Sequence, residues 1–177
     1  MAELTFRNAA HDDIDSIVAL VQSAYRGDAS RAGWTTEADI LDGQRIDASM
    51  LETMLANPAA TFLLAERDGK LFACCELQRK GDAAYFGMFS VVPSEQGRGI
   101  GKDVLAEAER IVRDDWQCER LEMTVIDVRE SLIAWYERRG YQRTGLHSPF
   151  PYGDERYGVP LRDNLRFETL VKNLRKG

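Results

Sequence analysis

A chain of 177 residues with 44% hydrophobic and 29% charged residues is long enough for one substantial core and too apolar for disorder. Its 23 basic residues are outweighed by 29 acidic ones, a net charge of −6 with no basic stripe, which speaks against a nucleic-acid partner. The N-terminus, MAELTFRNAAHDD, lacks the basic-then-apolar pattern of a signal peptide, and no apolar run reaches the roughly 18 residues of a membrane span, so the expected compartment is the cytoplasm.

Residues 4–7 alternate and predict a strand. Residues 11–26 predict a helix, with Ile14, Ile17, Val18, Val21 and Tyr25 at helical spacing. Residues 34–47 are polar and irregular, a loop; 48–56 read as a short helix ending near Asn57-Pro58. Three strands follow over 61–66, 71–77 and 84–92, joined by turns at Asp68-Gly69 and Gly81-Asp82. The third is mostly apolar, as a central strand buried on both faces would be, and Gly87 inside it marks a bulge or a close backbone approach. A glycine-rich stretch, PSEQGRGIGKD, then leads into a helix over about 100–115 with Ile100, Val104, Ala108 and Ile111 on one stripe. Residues 121–126 predict a strand. Asp127 stands where it can cap the next helix, with Glu130 completing a capping box, and Gly140 should stop that helix. A short strand over 141–146, a loop over 147–162 and a last strand over 165–171 complete the order βααβββαβαββ. This is a mixed α/β arrangement expected to form a single domain over 1–177. Cys74 and Cys75 should point to opposite faces of their strand, and with Cys118 they make an odd set without CxxC spacing. They read as core residues, with neither a disulfide framework nor a metal site.

A glycine-rich turn between a strand and a helix suits an anion, because backbone N–H groups converge there and the helix dipole favours negative charge. The stretch is not a P-loop: Gln96 occupies the first glycine position and Asp103 the Ser/Thr position. It is not a dinucleotide fingerprint either, since Lys102 or Val104 replaces the third glycine. It fits Q-x-x-G-x-G, as Gln96-Gly97-Arg98-Gly99-Ile100-Gly101.

With Phe89-Ser90-Val91-Val92-Pro93 before it, and Ala134-Trp135-Tyr136-Glu137-Arg138-Arg139-Gly140-Tyr141 about thirty residues on, the chain resembles the GNAT superfamily of N-acetyltransferases. The opening run Arg7 to Ile14 resembles the family's first strand and turn. The resemblance implies a mixed, mostly antiparallel central sheet flanked by helices, whose central strands splay to form a cleft for acetyl-CoA. It implies that the backbone of Gln96, Gly97, Arg98, Gly99, Ile100 and Gly101 binds the diphosphate, with Lys102 and Arg98 adding charge. On this reading a β-carbon at Gly97, Gly99 or Gly101 would block the approach. Main-chain groups of Phe89, Ser90, Val91 and Val92 would hold the pantetheine arm, and an N–H near Val91 would stabilise the oxyanion on the thioester carbonyl. The implied reaction is direct acetyl transfer to an amine, without metal. Tyr136 stands where the family keeps its general acid, and a phenol with a pKa near ~10 stays protonated at neutral pH; packing in the core is its other reading.

There are departures. Arg129 replaces the asparagine that often opens the last helix, and Leu132 replaces a common alanine. Tyr85 stands where some members place a glutamate base, which leaves Glu76 and Glu122 on neighbouring strands as candidates beside their simpler reading as strand-face charges; deprotonation relayed by water is a further route. On the acceptor side, Tyr25, Trp34, Glu37, Asp39, Asp42, Phe150, Tyr152, Asp154, Glu155 and Tyr157 suggest a small cationic amine. A peptide or protein acceptor and a non-catalytic acyl-CoA sensor are the alternatives. No nucleic-acid or membrane partner is expected, and the resemblance allows a homodimer.

Overall fold

The computed structural model describes residues 4–26, 33, 36–38, 40–43, 45–96, 98–152, 154 and 158–175. Asp68 and Gly69 both take left-handed backbone, with φ of 53° and 76°, as a tight two-residue hairpin requires. They join β3 (Ala60–Arg67) to β4 (Lys70–Lys80), and Gly81, at φ 63°, turns β4 into β5 (Ala83–Val91). Before this meander come β1 (Thr5–Asn8), α1 (Ile14–Tyr25), β2 (Leu41–Asp42) and α2 (Ala48–Ala56). After it come α3 (Ile100–Arg110), β6 (Arg120–Ile126), α4 (Glu130–Glu137), β7 (Gln142–Pro149), β8 (Val159–Pro160) and β9 (Arg166–Asn173).

Seven strands form one sheet in the order β1-β3-β4-β5-β6-β9-β7, and β2 pairs with β8 in a small ladder. Every pairing is antiparallel except β5 with β6. The two faces carry separate cores. Ile17, Val21 and Leu51 from α1 and α2 pack on Phe62, Leu64 and Cys74, while Ile100, Val104 and Ala108 of α3 pack on Leu63, Cys75 and Leu77. Cys74 and Cys75 therefore face opposite ways, as the alternation predicts, and all three cysteines are free and buried.

Three local expectations change. The 34–47 and 147–162 segments are not wholly loop: each contributes one strand of the β2–β8 ladder, and β7 runs on to Pro149. The helix over 100–115 is α-helical only to Arg110 and closes with a π-helical turn, Ile111–Asp115. The capping box at Asp127 does not form. α4 begins at Glu130 behind Arg129, and the Asp127 carboxylate instead accepts a hydrogen bond from Arg166 Nε at 2.6 Å, tying the end of β6 to β9.

Candidate active site

The parallel pair β5–β6 lasts only three residues, Ala83–Tyr85 against Arg120–Glu122, and then the strands diverge. A hydrogen bond at 3.0 Å between the Tyr85 hydroxyl and Thr124 Oγ1 stands at the apex of this fork. In the opening lies a cavity of about 320 Å³, bounded by Phe86–Phe89 of β5, Met123–Ile126 of β6, the end of α1, and Tyr136 of α4.

β5 carries a bulge opposite Cys74–Glu76, where Met88 adopts φ 49°. A β-carbon on Gly87 would stand 2.7 Å from the Tyr85 ring and 3.2 Å from Glu76 Oε1. The bulge follows directly on Gly87, and the close approach there is by the Tyr85 and Glu76 side chains rather than by backbone. Glu76 is 8% exposed, lines the cavity, and makes no ion pair among the described residues. Burial raises its carboxyl above the ordinary value, against the opposing pull of Arg45 and Lys80.

Tyr136 also lines the cavity, at 4% exposure. Its ring packs edge-on against Trp135 and Tyr141, with centroids 5.1 Å and 5.8 Å away, as the core-packing reading expects. The hydroxyl makes no hydrogen bond to a described residue, and burial pushes the phenol well above its ordinary value. Glu122 is placed elsewhere: it is partly exposed, paired with Arg120 at 3.3 Å, and absent from the cavity wall.

On the loop side, Gly99 caps α3 with φ 86° and has open space where a β-carbon would stand. The N–H groups of Ile100, Gly101 and Lys102 lie in the first helical turn, beyond reach of an intrahelical partner, while Asp103 N–H donates to Gly99 O at 3.1 Å. Ile100 buries its side chain in the core, so only its backbone faces outward. At Gly101 a β-carbon would meet the Phe89 ring at 3.1 Å and Trp135 at 3.6 Å. It lets α3 close on β5. Arg98 is largely exposed, 3.8 Å from Glu95, and Lys102 is exposed. Gly97 lies outside the described residues.

At the end of β5, Val92 N–H donates to Phe72 O at 2.9 Å, on the β4 side. Strand alternation directs the N–H of Val91, one residue back, to the opposite edge and into the fork. The carbonyls of Phe89 and Val91 each already accept a bond, from the Tyr25 hydroxyl and, at 3.1 Å, from Gln96 Nε2. Ser90 is buried, its hydroxyl on Met88 O at 3.1 Å. Gln96 thus fastens the loop to the strand.

The acceptor side holds a charge network that the sequence reading missed. Glu37 is bracketed by Arg26 and by Arg129, whose Nη1 is 3.1 Å from Glu37 Oε2. Burial alone would raise this carboxyl, but Arg129, Arg26 and Arg45 together outweigh it and hold the group below its ordinary value. Glu37 is therefore a neutralised structural anion rather than an open receptor for a cationic amine. Arg129, where the family often has asparagine, is committed to this pair. Phe150 stacks on Tyr152 and Phe167, with centroids 5.4 Å and 5.8 Å away, and Tyr152 donates to Arg162 O at 2.8 Å, which anchors the wall. Trp34, Asp39, Glu155, Tyr157 and the Asp42 side chain lie outside the described residues. Among the described residues there is no cluster of His, Cys, Asp and Glu able to hold a metal, and no helix long and apolar enough to cross a membrane.

Residues 15–141 match the model of the Acetyltransferase (GNAT) family, and the chain belongs to that family of N-acetyltransferases, whose acyl donor is acetyl-CoA. A relative from Bacillus subtilis (strain 168), by its name a candidate [ribosomal protein bS18]-alanine N-acetyltransferase, is 22% identical over 144 residues, 81% of this chain and 84% of its own. The crystal structure of the Escherichia coli ribosomal-protein-S18-alanine N-acetyltransferase aligns with a TM-score of 0.72 at 14% identity, covering 99% of this chain and 96% of that one. A mutant of the spermidine N-acetyltransferase SpeG from Vibrio cholerae aligns with a TM-score of 0.70 at 14% identity, covering 97% and 94%. At these identities the solved structures establish a shared fold.

Proposed function

We propose that this enzyme transfers the acetyl group of acetyl-CoA directly to a primary amine of a small molecule. The observation that carries the reading is the cavity in the β5–β6 fork, whose wall holds both Glu76 and Tyr136. At about 320 Å³ it sits at the small end of the roughly 300–1,000 Å³ typical of small-molecule sites. The first-turn N–H groups of α3, the open space at Gly99 and the cation of Lys102 fit a diphosphate at the mouth of the fork. The Val91 N–H fits the developing negative charge on the thioester carbonyl oxygen.

In this reading Glu76, made more basic by burial, takes a proton from the acceptor ammonium. The freed nitrogen lone pair forms the C–N bond, the C–S bond breaks, the Tyr136 phenol supplies a proton to the departing sulfur, and the second proton lost by the nitrogen restores the phenol. The products are an amide and the free thiol. Glu122, turned to solvent beside Arg120, has no part in it. Residues 1–177 are read as one N-acetyltransferase domain working in the cytoplasm, with β1 and β9 belonging to the same sheet. The names of the ribosomal-protein relatives favour a second reading, an N-terminal alanine as acceptor.

Calorimetry with acetyl-CoA tests the donor site. Wild-type protein is expected to bind, and Gly99→Glu to bind at least tenfold more weakly, because it strains a φ of 86° and sets a carboxylate at the helix start. Undiminished binding by the variant would sink the assignment. A panel of amines and an alanine-terminated peptide, read by mass spectrometry, separates the two acceptors.

A further inference from the structure

Among the described residues, five charged side chains line the cavity: Arg26, Glu37, Arg45, Glu76 and Arg129. Arg26 and Arg129 are spent on Glu37. Arg45 and Glu76 are not spent on each other. The Arg45 guanidinium makes no ion pair and donates no side-chain hydrogen bond among the described residues; its one contact of note is over the Tyr25 ring, 5.7 Å from the centroid. Its charge reaches Glu76 without closing to the 4.0 Å of an ion pair. The chain fixes this placement through the backbone: Gln22 Oε1 accepts from the N–H of Arg45 and, at 3.0 Å, from that of Ile46, whose side chain is buried.

A partly buried guanidinium that faces a cavity and is ion-paired to no carboxylate among the described residues is suited to an anion. A buried carboxylate in the same cavity is the complementary half. From this we infer that the acceptor is a zwitterion of the amino-acid kind, a primary amine carrying a carboxylate on a neighbouring carbon: Arg45 takes its carboxylate and Glu76 receives its ammonium. A polyamine fits poorly, because arginines outnumber carboxylates among the described wall residues and a second ammonium would meet Arg45. A peptide N-terminus fits poorly too, because its α-carboxylate is consumed in an amide. Arg45 is a binding and specificity residue in this scheme, remote from proton transfer.

This inference rests on the small-amine reading above and can fail separately from it. The test uses acetyl-CoA with the twenty common amino acids, the primary amides of the same amino acids, spermidine, and a peptide with N-terminal alanine, product formation being read by mass spectrometry. At least one free amino acid should be acetylated, with kcat/KM about tenfold to a hundredfold above its own amide, the difference a charge-assisted hydrogen-bonded pair provides. Arg45→Ala should erase that acid-over-amide preference, mainly through KM, and Arg45→Lys should restore part of it. Both variants should keep the wild-type affinity for acetyl-CoA by calorimetry, which also shows that they fold. Acetylation of spermidine, the peptide or the amides as well as or better than the acids overturns the inference while leaving the enzyme reading intact. So does an Arg45→Ala variant that keeps the preference, or a panel in which no amino acid reacts although acetyl-CoA binds. Failure of acetyl-CoA to bind at all would instead remove the donor assignment.

Discussion

Tyr136→Phe separates the chemistry of this site from its packing. The phenol oxygen has no hydrogen-bond partner among the described residues, while the ring contacts with Trp135 at 5.1 Å and Tyr141 at 5.8 Å survive in phenylalanine. Nothing structural is removed, so the change in stability should stay within about 0.5 kcal/mol, as for a substitution that creates no cavity and orphans no polar group. If the hydroxyl delivers a proton to the departing sulfur, its loss should lower kcat by about 10²–10⁴. That is roughly 2.7–5.5 kcal/mol of transition-state stabilisation, at about 1.36 kcal/mol per decade. Burial holds the phenol well above its ordinary pKa, so it is protonated across the neutral range and the defect should be nearly independent of pH there. Single-turnover rates with saturating acetyl-CoA and acceptor, measured beside a thermal melt, read both quantities and avoid masking by product release. A variant that melts like wild type and turns over like wild type refutes the acid role and leaves Tyr136 as a core aromatic. A variant that melts several degrees lower refutes the packing argument instead.

Two further predictions concern titrating groups. Glu76 has a raised folded-state pKa, so its charge costs native stability at pH values above that pKa and costs nothing below the unfolded value. Glu76→Gln should therefore raise Tm at neutral and alkaline pH, with the gain vanishing near about pH 4. It should also cut kcat and abolish the acidic limb of the pH–rate profile; an unchanged limb would assign that limb, and the base, to another group. Asp13 behaves in the opposite sense. Its bidentate bond to Arg7, both distances 2.8 Å, and the Ala10 N–H hold its carboxyl down at about 2. The stability it supplies is present above the unfolded value and lost as pH falls through about 2. Asp13→Asn should lower Tm modestly at pH 5–8, about as a partly exposed pair does, and the gap from wild type should close in acid. A gap that persists unchanged at low pH means the hydrogen bonds, not the charge, carried the effect.

The parts of the fold that were legible are those written in contiguous residues. α2 was read to the residue, and Asp47 shows why: its carboxylate accepts from the Met50 N–H at 2.8 Å, fixing the helix start. The β3–β4–β5 meander was legible because Asp68-Gly69 and Gly81 punctuate apolar runs. The start of α4 was misread because a distant residue competes: Asp127 carries the local signature of a cap, but Arg166, from a strand read only at the chain's end, takes its carboxylate. The β2–β8 ladder has two residues per strand, too few for any periodicity to show. Gly101 illustrates a subtler loss. A β-carbon there would press on the Phe89 ring at 3.1 Å, and a motif specifies which residue stands at a position without saying what packs on it.

The same distinction divides the site. Its donor half follows one unbroken segment, from β5 through the glycine turn into α3, so sequence order is spatial order there. Its acceptor half is assembled from residues 26, 37, 45, 76 and 129, which lie on five separate stretches of chain. Glu37 taken alone looks like a carboxylate awaiting a cation; only the assembled structure shows Arg26 and Arg129 already upon it. The chain's net charge of −6 gives no warning that arginines outnumber carboxylates among the described residues of the cavity wall. Surface charges beyond roughly 8–10 Å are screened by physiological salt, whereas charges sharing a dry pocket are not. The local balance, not the global one, selects what can enter. A polyamine drawn to the acidic exterior would still have to set an ammonium beside Arg45, whereas in the proposed scheme a zwitterion, net neutral outside, meets Glu76 with its ammonium and Arg45 with its carboxylate.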